Sequence, residues 1–410
     1  MKQIVILGGG YAGINTALQA NKLLQENEAR ITLIDSRPYH LAYTYLYEVA
    51  SMPKGSANLP DLKESVTIPI ASIIKNTQIN FIQATVKNIN NKTQQIFLEG
   101  KQVIPFDYLV MALGSETNFY NIPGAEQYAK TLKSVQDSLE IRSQIQLLVD
   151  SNCKALTIPL IRIVVAGGGF AGVELAAELK GMLNRLVDQT GYPLEKLEVR
   201  VIEGANQLMP GLGVKVGKTV YKRLKALSTE IQLDSFITEV SDRLITLKNG
   251  EQIQYDCLIW TAGVKGKTIP FATPIETDHS ERIIVNSKLQ LNNHNNIFIA
   301  GDVAAVKSAD GTTTPATARH AIAQGKYIGQ TLANIVKNRP QLPFKPKTLG
   351  YIVPLGGKWA IFKSPKIFLS GFFPYVARQL AMFHYFYTIL GLTKSLKLSF
   401  LENKIYRKND

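Results

Sequence analysis

The sequence predicts an α/β fold in which one unit of strand, turn and helix occurs twice. The first unit is IVILGGGYAGINTAL, residues 4–18, and the second is VVAGGGFAGVELAAEL, residues 164–179. Each copy contains an apolar run of strand length and is followed by further apolar strands, which is typical of parallel sheets covered by helices. A chain of 410 residues, 45% of them hydrophobic, can bury the cores of two or three domains of this kind.

The spacing of the glycines in the first copy indicates a ligand. Gly8, Gly10 and Gly13 allow a tight turn, a close approach of the backbone to a pyrophosphate, and close packing of helix on strand. The N-terminus of the following helix offers N–H groups to phosphate oxygens. Asp35 follows Gly13 by 22 residues, at the end of the strand RITLID, and is the acid expected to bind a ribose hydroxyl. This pattern predicts a Rossmann-like dinucleotide-binding domain.

The second copy repeats the pattern with Gly167, Gly169 and Gly172, and its acid is Glu203 at the end of VRVIE. Glu203 follows Gly172 by 31 residues, a longer interval that a long helix and the loop DQTGYPLEK account for. A carboxylate at this position repels a 2′-phosphate, so we expect the second domain to prefer NAD(H) to NADP(H). The alternative is a turn that serves packing alone.

A third apolar strand, NNIFIAGDVA at residues 295–304, leads into a further helix. Thr314 is a suitable N-cap and Pro315 suits the first turn, so this helix is predicted from Pro315 to about Lys337. After the loop NRPQLPFKPK the sequence becomes basic, aromatic and apolar. We therefore expect a separate C-terminal module that begins near Pro340.

Residues 1–335 resemble the flavoprotein pyridine nucleotide oxidoreductases. ALGS, ending at Ser115, is similar to the ATG strand of that family, and AGDVA to its GD motif, although Leu113 replaces the usual threonine. The resemblance implies that the first turn binds the ADP half of FAD, that the second binds NAD(P)H, and that Asp302 holds the ribityl chain. Disulfide reductases and peroxidases of this superfamily use cysteines in the first domain, whereas no cysteine precedes Cys153 here. Cys257 lies within the apolar strand YDCLIW, so the cysteines also argue against a sulfide:quinone oxidoreductase, which stays an alternative.

Within this superfamily the chain is similar to type II NADH dehydrogenases over nearly its whole length. The stretches that carry the likeness are RPYHLAYTYLYEVASM, GVELAAEL, LIWTAGVKG, TARHAIAQG and LGGKWAIF. The resemblance implies a single-subunit, FAD-dependent NADH:quinone oxidoreductase of the respiratory chain that does not pump protons. A hydride would pass from NADH to N5 of FAD, and two electrons would then reach a membrane quinone. A reductase of a soluble acceptor and a slow-turnover NADH-binding redox sensor are the other functions left open.

The resemblance also implies the site residues. Glu174 and Glu178, one helical turn apart, are the catalytic candidates, although a solvated helix face is an equal reading of Glu178. FAD is expected at Gly8, Gly10, Tyr11, Ala12, Gly13, Asp35, His40, Thr44, Val86, Ala112, Gly114, Gly301, Asp302, Ala318 and Arg319. NADH is expected at Gly167, Gly169, Phe170, Gly172, Glu203 and Gly263, and the quinone at Arg319, His320 and Gln324. Arg319 stands where the family usually has glutamine, and His40 is as well explained by a structural role. No metal site is expected.

The predicted domains are an FAD-binding domain at residues 1–115 and 275–338, an NADH-binding domain at residues 116–274, and a C-terminal amphipathic helical membrane-association or dimer module at residues 339–410. The net charge is +14, and from residue 331 onward there are 13 Lys or Arg against two acidic residues. In the stretch FFPYVARQLAMFHYFYTILGL, a helical stripe of apolar residues comprises Val376, Leu380, Phe383, Tyr387 and Leu390.

Arg378 and His384 interrupt this run, so it is too broken to span a membrane, and a basic amphipathic helix on an anionic lipid surface is the expected structure. A core helix or a homodimer contact is the alternative, and nucleic acid is not an expected partner. Met1, Lys2 and Gln3 lead directly into an apolar strand without the pattern of a signal peptide. The expected location is therefore the cytoplasmic face of a membrane, as a peripheral protein.

Overall fold

The computed structural model describes residues 1–308, 311–346 and 350–406. In these ranges the strands are β1 (Lys2–Leu7), β2 (Ala29–Asp35), β3 (Tyr39–Leu41), β4 (Thr67–Pro69), β5 (Ile79–Gln83), β6 (Val86–Asn90), β7 (Gln95–Leu98), β8 (Val103–Pro105), β9 (Tyr108–Met111), β10 (Ser115–Thr117), β11 (Ile161–Ala166), β12 (Leu197–Ile202), β13 (Glu230–Gln232), β14 (Ile237–Ser241), β15 (Leu244–Leu247), β16 (Gln252–Gln254), β17 (Cys257–Trp260), β18 (Val264–Gly266), β19 (Ile283–Ile284), β20 (Ile297–Ile299), β21 (Ala304–Ala305), β22 (Tyr351–Pro354), β23 (Ala360–Lys363) and β24 (Phe368–Gly371).

The α-helices of the same ranges are α1 (Tyr11–Leu23), α2 (Leu46–Ala50), α3 (Leu59–Val66), α4 (Ile70–Ile74), α5 (Ala125–Tyr128), α6 (Val135–Asn152), α7 (Phe170–Thr190), α8 (Val214–Ala226), α9 (Ala318–Val336), α10 (Phe372–Leu390) and α11 (Leu392–Tyr406). Short 3₁₀ turns lie at Tyr43–Tyr45, Leu194–Lys196 and Gly301–Val303. The ends of the long helices follow local chemistry. Ser134 caps α6 by accepting a hydrogen bond from the Asp137 N–H, and Gly191 ends α7 in the left-handed conformation, φ +69°.

One compact unit comprises Met1–Leu41, Thr67–Glu116 and Val264–Leu349. Its main sheet has the order β20-β9-β1-β2-β5, with every neighbouring pair parallel. Ile4 of β1 lies opposite Ile31 on one side and Tyr108 on the other. The chain therefore continues on opposite sides of β1, and a crevice opens at the carboxyl end of β1, where parallel sheets bind ligands.

The second unit comprises Ala42–Val66, Thr117–Gly263 and Gly350–Asp410. Its parallel sheet has the order β13-β12-β11-β17, and β11 has a neighbour on each side as β1 does. Val165 of β11 lies opposite Val201 and Ile259, and all three side chains are buried in the core. The antiparallel sheets β14-β15-β16 and β22-β23-β24 and the helices α10 and α11 belong to the same unit.

The predicted α/β fold with two parallel strand, turn and helix units is confirmed. The predicted start of the third helix is wrong, because α9 begins at Ala318 and its N-cap is Thr317, whose hydroxyl accepts from the His320 N–H. The N–H of Thr314 instead donates to the Val306 carbonyl, which keeps this segment extended. Residues 350–410 are grouped with residues 42–66 and 117–263, not set apart as a third unit. The assignment of cofactors to the predicted domains stays a prediction.

The C-terminal stretch forms α10 and α11, and within the described ranges no helix has the length and apolarity needed to cross a bilayer. The predicted stripe of α10 lies on the outer side, where Leu380 is 64% and Tyr387 47% exposed. The buried side carries Tyr385, Phe386 and Ile389 and, between apolar neighbours, Arg378. The residue that interrupts the apolar run in the sequence is thus a core residue of this unit.

Candidate functional site

The first glycine turn connects β1 to α1 and cannot accept larger residues. Gly8 has φ +106°, in the region that favours glycine, and a Cβ there would overlap the carbonyl oxygen of Ala112. A Cβ on Gly13 would overlap the carbonyl oxygen of Gly8. Gly10 differs from both, because no described atom lies within 4 Å of a Cβ built on it.

Gly10 therefore has no packing reason to be glycine, and the open space above it is available to a ligand. It is also the N-cap of α1 and has no side chain to satisfy the first N–H groups of that helix. The N–H groups at a helix N-terminus, beside an open backbone, fit a pyrophosphate. This first turn thus fits the pyrophosphate of a dinucleotide.

The acid of the first copy is held by the turn itself. One carboxylate oxygen of Asp35 accepts a hydrogen bond from the Gly9 N–H at 2.6 Å, and the other accepts from the Arg37 N–H at 2.8 Å. Both bonds fix the carboxylate at the carboxyl end of β2, beside the glycines. This is the position from which a carboxylate can accept a ribose hydroxyl.

His40 packs against the same turn. Its ring is fully buried, and Nδ1 lies 2.9 Å from the Gly9 carbonyl oxygen, so Nδ1 carries the proton and donates. The ring meets Tyr11 edge to face at 5.0 Å. Burial, reinforced by Arg37, lowers the pKa of His40 to about 4, so it is neutral near pH 7. These contacts give His40 a bracing role in the turn.

The GD motif lies at the start of α9. Gly301 has φ +78°, and its N–H donates to the side-chain oxygen of Gln324 at 2.7 Å. Asp302 accepts a hydrogen bond from the Ser115 hydroxyl at 3.0 Å. Gln324 is buried and committed to this bond, whereas Arg319 is exposed.

His320 lies between these groups in a small polar cavity. Its Nδ1 is 2.8 Å from the Thr317 hydroxyl, and burial, followed by Arg319, lowers its pKa while Asp302 opposes the shift. The cavity is lined by Gly301, Asp302, Thr317, His320 and Gln324 together with Arg282. The structure thus brings the predicted GD residues together with His320 and Gln324, two of the three predicted quinone residues of α9, whereas Arg319 does not line this cavity.

The second glycine turn, in the other unit, repeats the first. Gly167 has φ +103° and packs against the backbone of Ala262, and a Cβ on Gly172 would overlap the Gly167 carbonyl oxygen. No described atom lies within 4 Å of a Cβ built on Gly169, which is the N-cap of α7. This turn also leaves open space beside a helix N-terminus, and it fits a second dinucleotide.

Glu203 occupies the place of Asp35 in the second copy. Its carboxylate accepts from the Gly168 N–H at 2.6 Å and from the Ala205 N–H at 2.8 Å. The long interval before Glu203 is the helix α7 with the loop that follows, and β12 still ends next to the glycines. The sequence interpretation of the insertion therefore matches the structure.

Glu174 lies one turn into α7 and is partly buried. Loss of hydration raises its pKa to about 8, opposed by Arg378 and reinforced by Glu48 and Glu178. Near pH 7 the carboxyl group therefore carries its proton and can donate a hydrogen bond. Glu178 is only 7% exposed and lines a cavity with Glu48 and Arg378, so its reading as part of a solvated helix face is wrong.

Arg378 is the charge that organises this cavity, and the sequence analysis did not select it. Its guanidinium donates to Glu48 at 2.6 Å and to the Tyr47 hydroxyl at 2.6 Å, and it lies 4.8 Å from the centre of the Tyr45 ring. The Tyr45 hydroxyl donates to Glu402 at 3.2 Å. The available signal was a lone arginine within an apolar helix, because such a charge is stable only when paired.

The remaining predicted residues are distributed as follows. Thr44 belongs to the second unit, where its hydroxyl contacts the Met382 sulfur at 3.8 Å and its carbonyl accepts from Arg378. Val86 begins β6 in the first unit. Gly114, in the same unit, has φ +76°. Gly263 lies under the ring of Tyr120, another residue that the sequence analysis missed.

Phe170 starts α7 and meets Tyr351 edge to face at 5.6 Å, and Ala12 packs closely on Gly325 of α9. Ala318, the first residue of α9, is partly buried. No group of His, Cys, Asp and Glu in the described part of the chain could hold a metal ion.

An apolar and basic surface covers the outer side of the C-terminal helices. Its exposed apolar residues are Phe372, Phe373, Leu380, Tyr387, Leu392, Leu396 and Phe400. Lys394, Lys397 and Lys404 lie on α11 among them. Lys397 approaches Glu64 at 3.5 Å, but both side chains are largely exposed, so this pair is weak. We call these residues the C-terminal surface.

Comparisons with known proteins agree with this arrangement. A model of the pyridine nucleotide-disulphide oxidoreductase family matches residues 2–325. The type II NADH:quinone oxidoreductase of Staphylococcus haemolyticus (strain JCSC1435) is 27% identical over 361 residues, which cover 87% of this chain and 88% of that protein. The protein of the same name from Haemophilus influenzae is 28% identical over 401 residues, covering 88% and 86%.

Two solved structures share the fold. The structure of NDH2 from Plasmodium falciparum in complex with NADH aligns with a TM-score of 0.85 at 19% identity and covers 99% of both chains. The sulfide:quinone oxidoreductase of Aquifex aeolicus aligns with a TM-score of 0.78 at 19% identity, covering 98% of this chain and 95% of its own. At these identities the structural likeness shows the fold alone.

Proposed function

The chain belongs to the pyridine nucleotide-disulphide oxidoreductase family, and from this we propose that it is an NADH:quinone oxidoreductase of type II. It takes NADH as the electron donor, FAD as the resident cofactor and a membrane quinone as the acceptor, and it does not pump protons. The observation that carries the proposal is the pair of glycine turns, each with open space above its middle glycine and an acid at the next strand end.

FAD is assigned to the first turn. Gly8, Gly10 and Gly13 admit its pyrophosphate, Asp35 accepts its ribose hydroxyls, and Asp302 holds the ribityl chain. When bound, the flavin supplies a ring that accepts a hydride and passes on two electrons. His40 is neutral and braces the turn, so it does not add a charge beside the cofactor.

NADH is assigned to the second turn, with Glu203 as the ligand of its adenosine ribose. Its carboxylate favours NADH over NADPH because a 2′-phosphate would meet a negative charge. Glu174 in its protonated form donates a hydrogen bond to the nicotinamide amide and so positions the ring. Burial, with the charges of Glu178 and of Glu48, which is paired with Arg378, favours the protonated form of Glu174.

The quinone is assigned to the start of α9, at Arg319 and His320, with Gln324 holding the GD turn behind them. His320 has a lowered pKa and therefore is neutral near pH 7, while Arg319 supplies a cation that attracts an electron-rich quinone oxygen. Arg319 in place of the family's glutamine makes this site more cationic than in relatives that keep the glutamine.

The C-terminal surface is assigned to the membrane, as the part of a peripheral protein that lies on the cytoplasmic leaflet. Exposed Phe and Leu residues bury apolar area among lipid tails, and the neighbouring lysines attract anionic headgroups. Such a position brings the protein to the phase in which a lipid-soluble quinone is dissolved. A homodimer through the same surface is the competing assignment.

The activity test is steady-state NADH oxidation by protein with identified flavin, using a panel of quinones, sulfide and soluble acceptors. We expect rapid oxidation only when a quinone is added. Oxidation driven by a soluble acceptor and not by quinones would favour the soluble-acceptor reductase, and sulfide-dependent quinone reduction would favour the sulfide:quinone enzyme. A flavin that NADH reduces and that no acceptor reoxidises would favour the redox sensor.

The membrane test uses a matched pair of point variants. Phe373, 81% exposed on α10, is changed to Asp, and Leu156, fully exposed in the loop after α6 of the same unit, is changed to Asp as the control. We expect F373D to lose at least fivefold in binding to vesicles containing anionic lipid, and L156D to bind as the parent does. Equal binding of all three proteins, or a change in oligomeric state in F373D alone, would contradict the assignment.

A further inference from the structure

Tyr120 lies beyond the end of β17 in the second unit, and its ring contacts the backbone of Gly263. A Cβ on Gly263 would overlap the Tyr120 Oη, so only glycine leaves room for the phenol. The hydroxyl donates to the Ala262 carbonyl at 3.5 Å, which is the long limit of a hydrogen bond. The Tyr120 hydroxyl is therefore held at this edge but retains most of its hydrogen-bonding capacity for a better acceptor.

The loop that carries Tyr120 is fixed to the same edge by two hydrogen bonds, and a third braces the loop itself. The Tyr120 N–H donates to the Asn118 side chain at 2.8 Å, and the Trp260 indole N–H donates to the Asn118 carbonyl at 2.8 Å. The Asn118 N–H donates to the Gly263 carbonyl at 3.1 Å. Tyr120 and Asn121 both have left-handed backbones, φ +53° and +55°, a costly conformation that a fold keeps where surrounding contacts demand it.

The sheet order shows which part of a dinucleotide passes this point. In the order β13-β12-β11-β17, Glu203 ends β12, the glycine turn follows β11, and Gly263 lies beyond the end of β17. Glu203 marks the adenosine side, where the exposed ring of Phe236 also packs against Gly204. A dinucleotide that starts at Glu203 and crosses the glycines reaches Tyr120 with its nicotinamide half.

The chemistry of the hydroxyl suits an anionic oxygen. Partial burial, followed by the charge of Glu203, raises the pKa of Tyr120, so the phenol stays protonated and remains a donor at ordinary pH. Its ring is still 57% exposed, so a ligand can reach it.

We propose that Tyr120 is a binding residue for NADH and that its hydroxyl donates a hydrogen bond to the second phosphate, the one that carries the nicotinamide ribose. The inference rests on the proposed function of the second turn as the NADH site. It adds to that turn a side chain that recognises the nicotinamide half, in a segment outside the glycine motif and its acid.

The test compares two ligands that cannot reduce the flavin. ADP-ribose contains the second phosphate and AMP does not, so calorimetric titration of the flavin-loaded protein separates the two halves of the site. In Tyr120→Phe we expect the Kd of ADP-ribose to rise about tenfold, as for loss of a hydrogen bond to a charged group, and that of AMP to change less than twofold. Tyr128→Phe, which removes a hydroxyl from α5 of the same unit, should leave both values within twofold.

Two results would overturn the inference: an ADP-ribose Kd within twofold of the parent's in Tyr120→Phe, or equal losses for ADP-ribose and AMP. Failure of the parent protein to bind either ligand would instead refute the second turn as the NADH site. Gly263→Ala gives an independent check, because its methyl group displaces the phenol. It should weaken ADP-ribose binding in the parent about as much as Tyr120→Phe does, and by less than twofold in Tyr120→Ala.

Discussion

The two glycine turns have nearly the same backbone but are followed by helices of different chemistry. Gly8 and Gly167 have φ +106° and +103°, and the two N-cap glycines, Gly10 and Gly169, have the same ψ of −169°. Each acid accepts one N–H from the turn at 2.6 Å and one from the following segment at 2.8 Å. The carboxyl ends of both parallel sheets thus carry the same arrangement of turn and acid, which suits a dinucleotide.

The difference begins one helical turn later. In α1 the Asn15 side chain donates to the Tyr11 carbonyl at 2.8 Å and the Thr16 hydroxyl to the Ala12 carbonyl at 2.9 Å, so both groups are satisfied within their own helix. In α7 the position of Asn15 is held by Glu174, whose pKa is raised to about 8 by burial, with Arg378 opposing the shift and Glu48 and Glu178 reinforcing it.

This difference suits the first copy to a ligand that stays bound and the second copy to a ligand that reacts and leaves. A helix whose polar groups are satisfied internally offers a fixed, neutral wall, which suits a resident cofactor. A helix with a titratable carboxyl beside the turn offers a donor whose state depends on pH, which suits a substrate that must be positioned and released. Changing one copy at a time therefore tests whether the two turns have separate roles.

The largest effect is expected from Gly13→Ala. Its methyl group would overlap the Gly8 carbonyl oxygen, so helix and turn must move apart, a strain of about 1–3 kcal/mol placed on the pyrophosphate site. We expect the purified variant to retain less than a tenth of the parent's flavin, measured as the ratio of flavin to protein absorbance. Gly172→Ala makes the same clash in the second copy and serves as the control, with full flavin and a Kd for NAD⁺ raised at least tenfold. Loss of flavin from both variants alike would mean that the two turns do not have separate ligands.

The next effect concerns Glu174. Replacement by Ala removes the donor, and we expect the rate of flavin reduction by NADH in stopped flow to fall about 30-fold at pH 7, which corresponds to about 2 kcal/mol. Glu174→Gln keeps a donor at every pH, so it should retain most of the rate. The parent's rate should decline as pH rises through about 8, where Glu174 loses its proton, and the Gln variant should not show this decline. Identical pH profiles for parent and Gln variant would remove Glu174 from this role.

Sequence reasoning reached the fold and the two turns because local rules determine them. Glycines at fixed spacing, an apolar strand before them and an acid at the next strand end need no knowledge of distant contacts. The resemblance to type II NADH dehydrogenases is confirmed by relatives of that name over nearly nine tenths of the chain. The start of α9 failed by three residues, because a tertiary hydrogen bond at Thr314 overrides its suitability as a cap.

The charged network was out of reach for a different reason. Glu48 and Arg378 are separated by 330 positions in the chain, so no local pattern predicts that they pair. Tyr120 lies against Gly263, which is 143 positions away in the chain, a relation that only the folded backbone reveals. Side chains that meet through tertiary contact leave no periodic signal in the sequence.

A smaller effect is expected at the acids. Glu203→Ala removes the charge that opposes a 2′-phosphate, so the ratio of kcat/KM for NADH to that for NADPH should fall about tenfold, or about 1.4 kcal/mol. Asp35→Ala is the matched change in the first copy. It should lower flavin content, while the protein that keeps flavin shows the parent's nucleotide ratio. If Asp35→Ala shifted that ratio and Glu203→Ala did not, the assignment of ligands to the two turns would be reversed.

The last contrast concerns the pH dependence of stability. One buried group in each unit contributes to the free energy of unfolding, and the two contributions are lost in opposite directions of pH. His40 has its pKa lowered from 6.5 to about 4 by burial, so the stability it contributes is present above pH 6.5 and is lost as pH falls through 4. Glu402, in the second unit, has its pKa raised from 4.5 to about 8 by burial and then by Glu48, so its contribution is present below pH 4.5 and is lost as pH rises through 8.

Glu402→Gln tests this contrast, because the amide keeps an acceptor for the Tyr45 hydroxyl and cannot ionise. One oxygen of Glu402 has no hydrogen-bond partner in the described residues, so at pH 5 the carboxyl O–H of the parent and the amide N–H of the variant are both unpaired there. The two proteins should therefore have nearly equal stability at pH 5. At pH 9 the parent must keep a buried carboxylate ionised and the variant does not, so urea unfolding should show the variant to be the more stable protein. A constant difference at both pH values would mean that Glu402 does not titrate in this range and that alkaline loss of stability arises elsewhere in the unit.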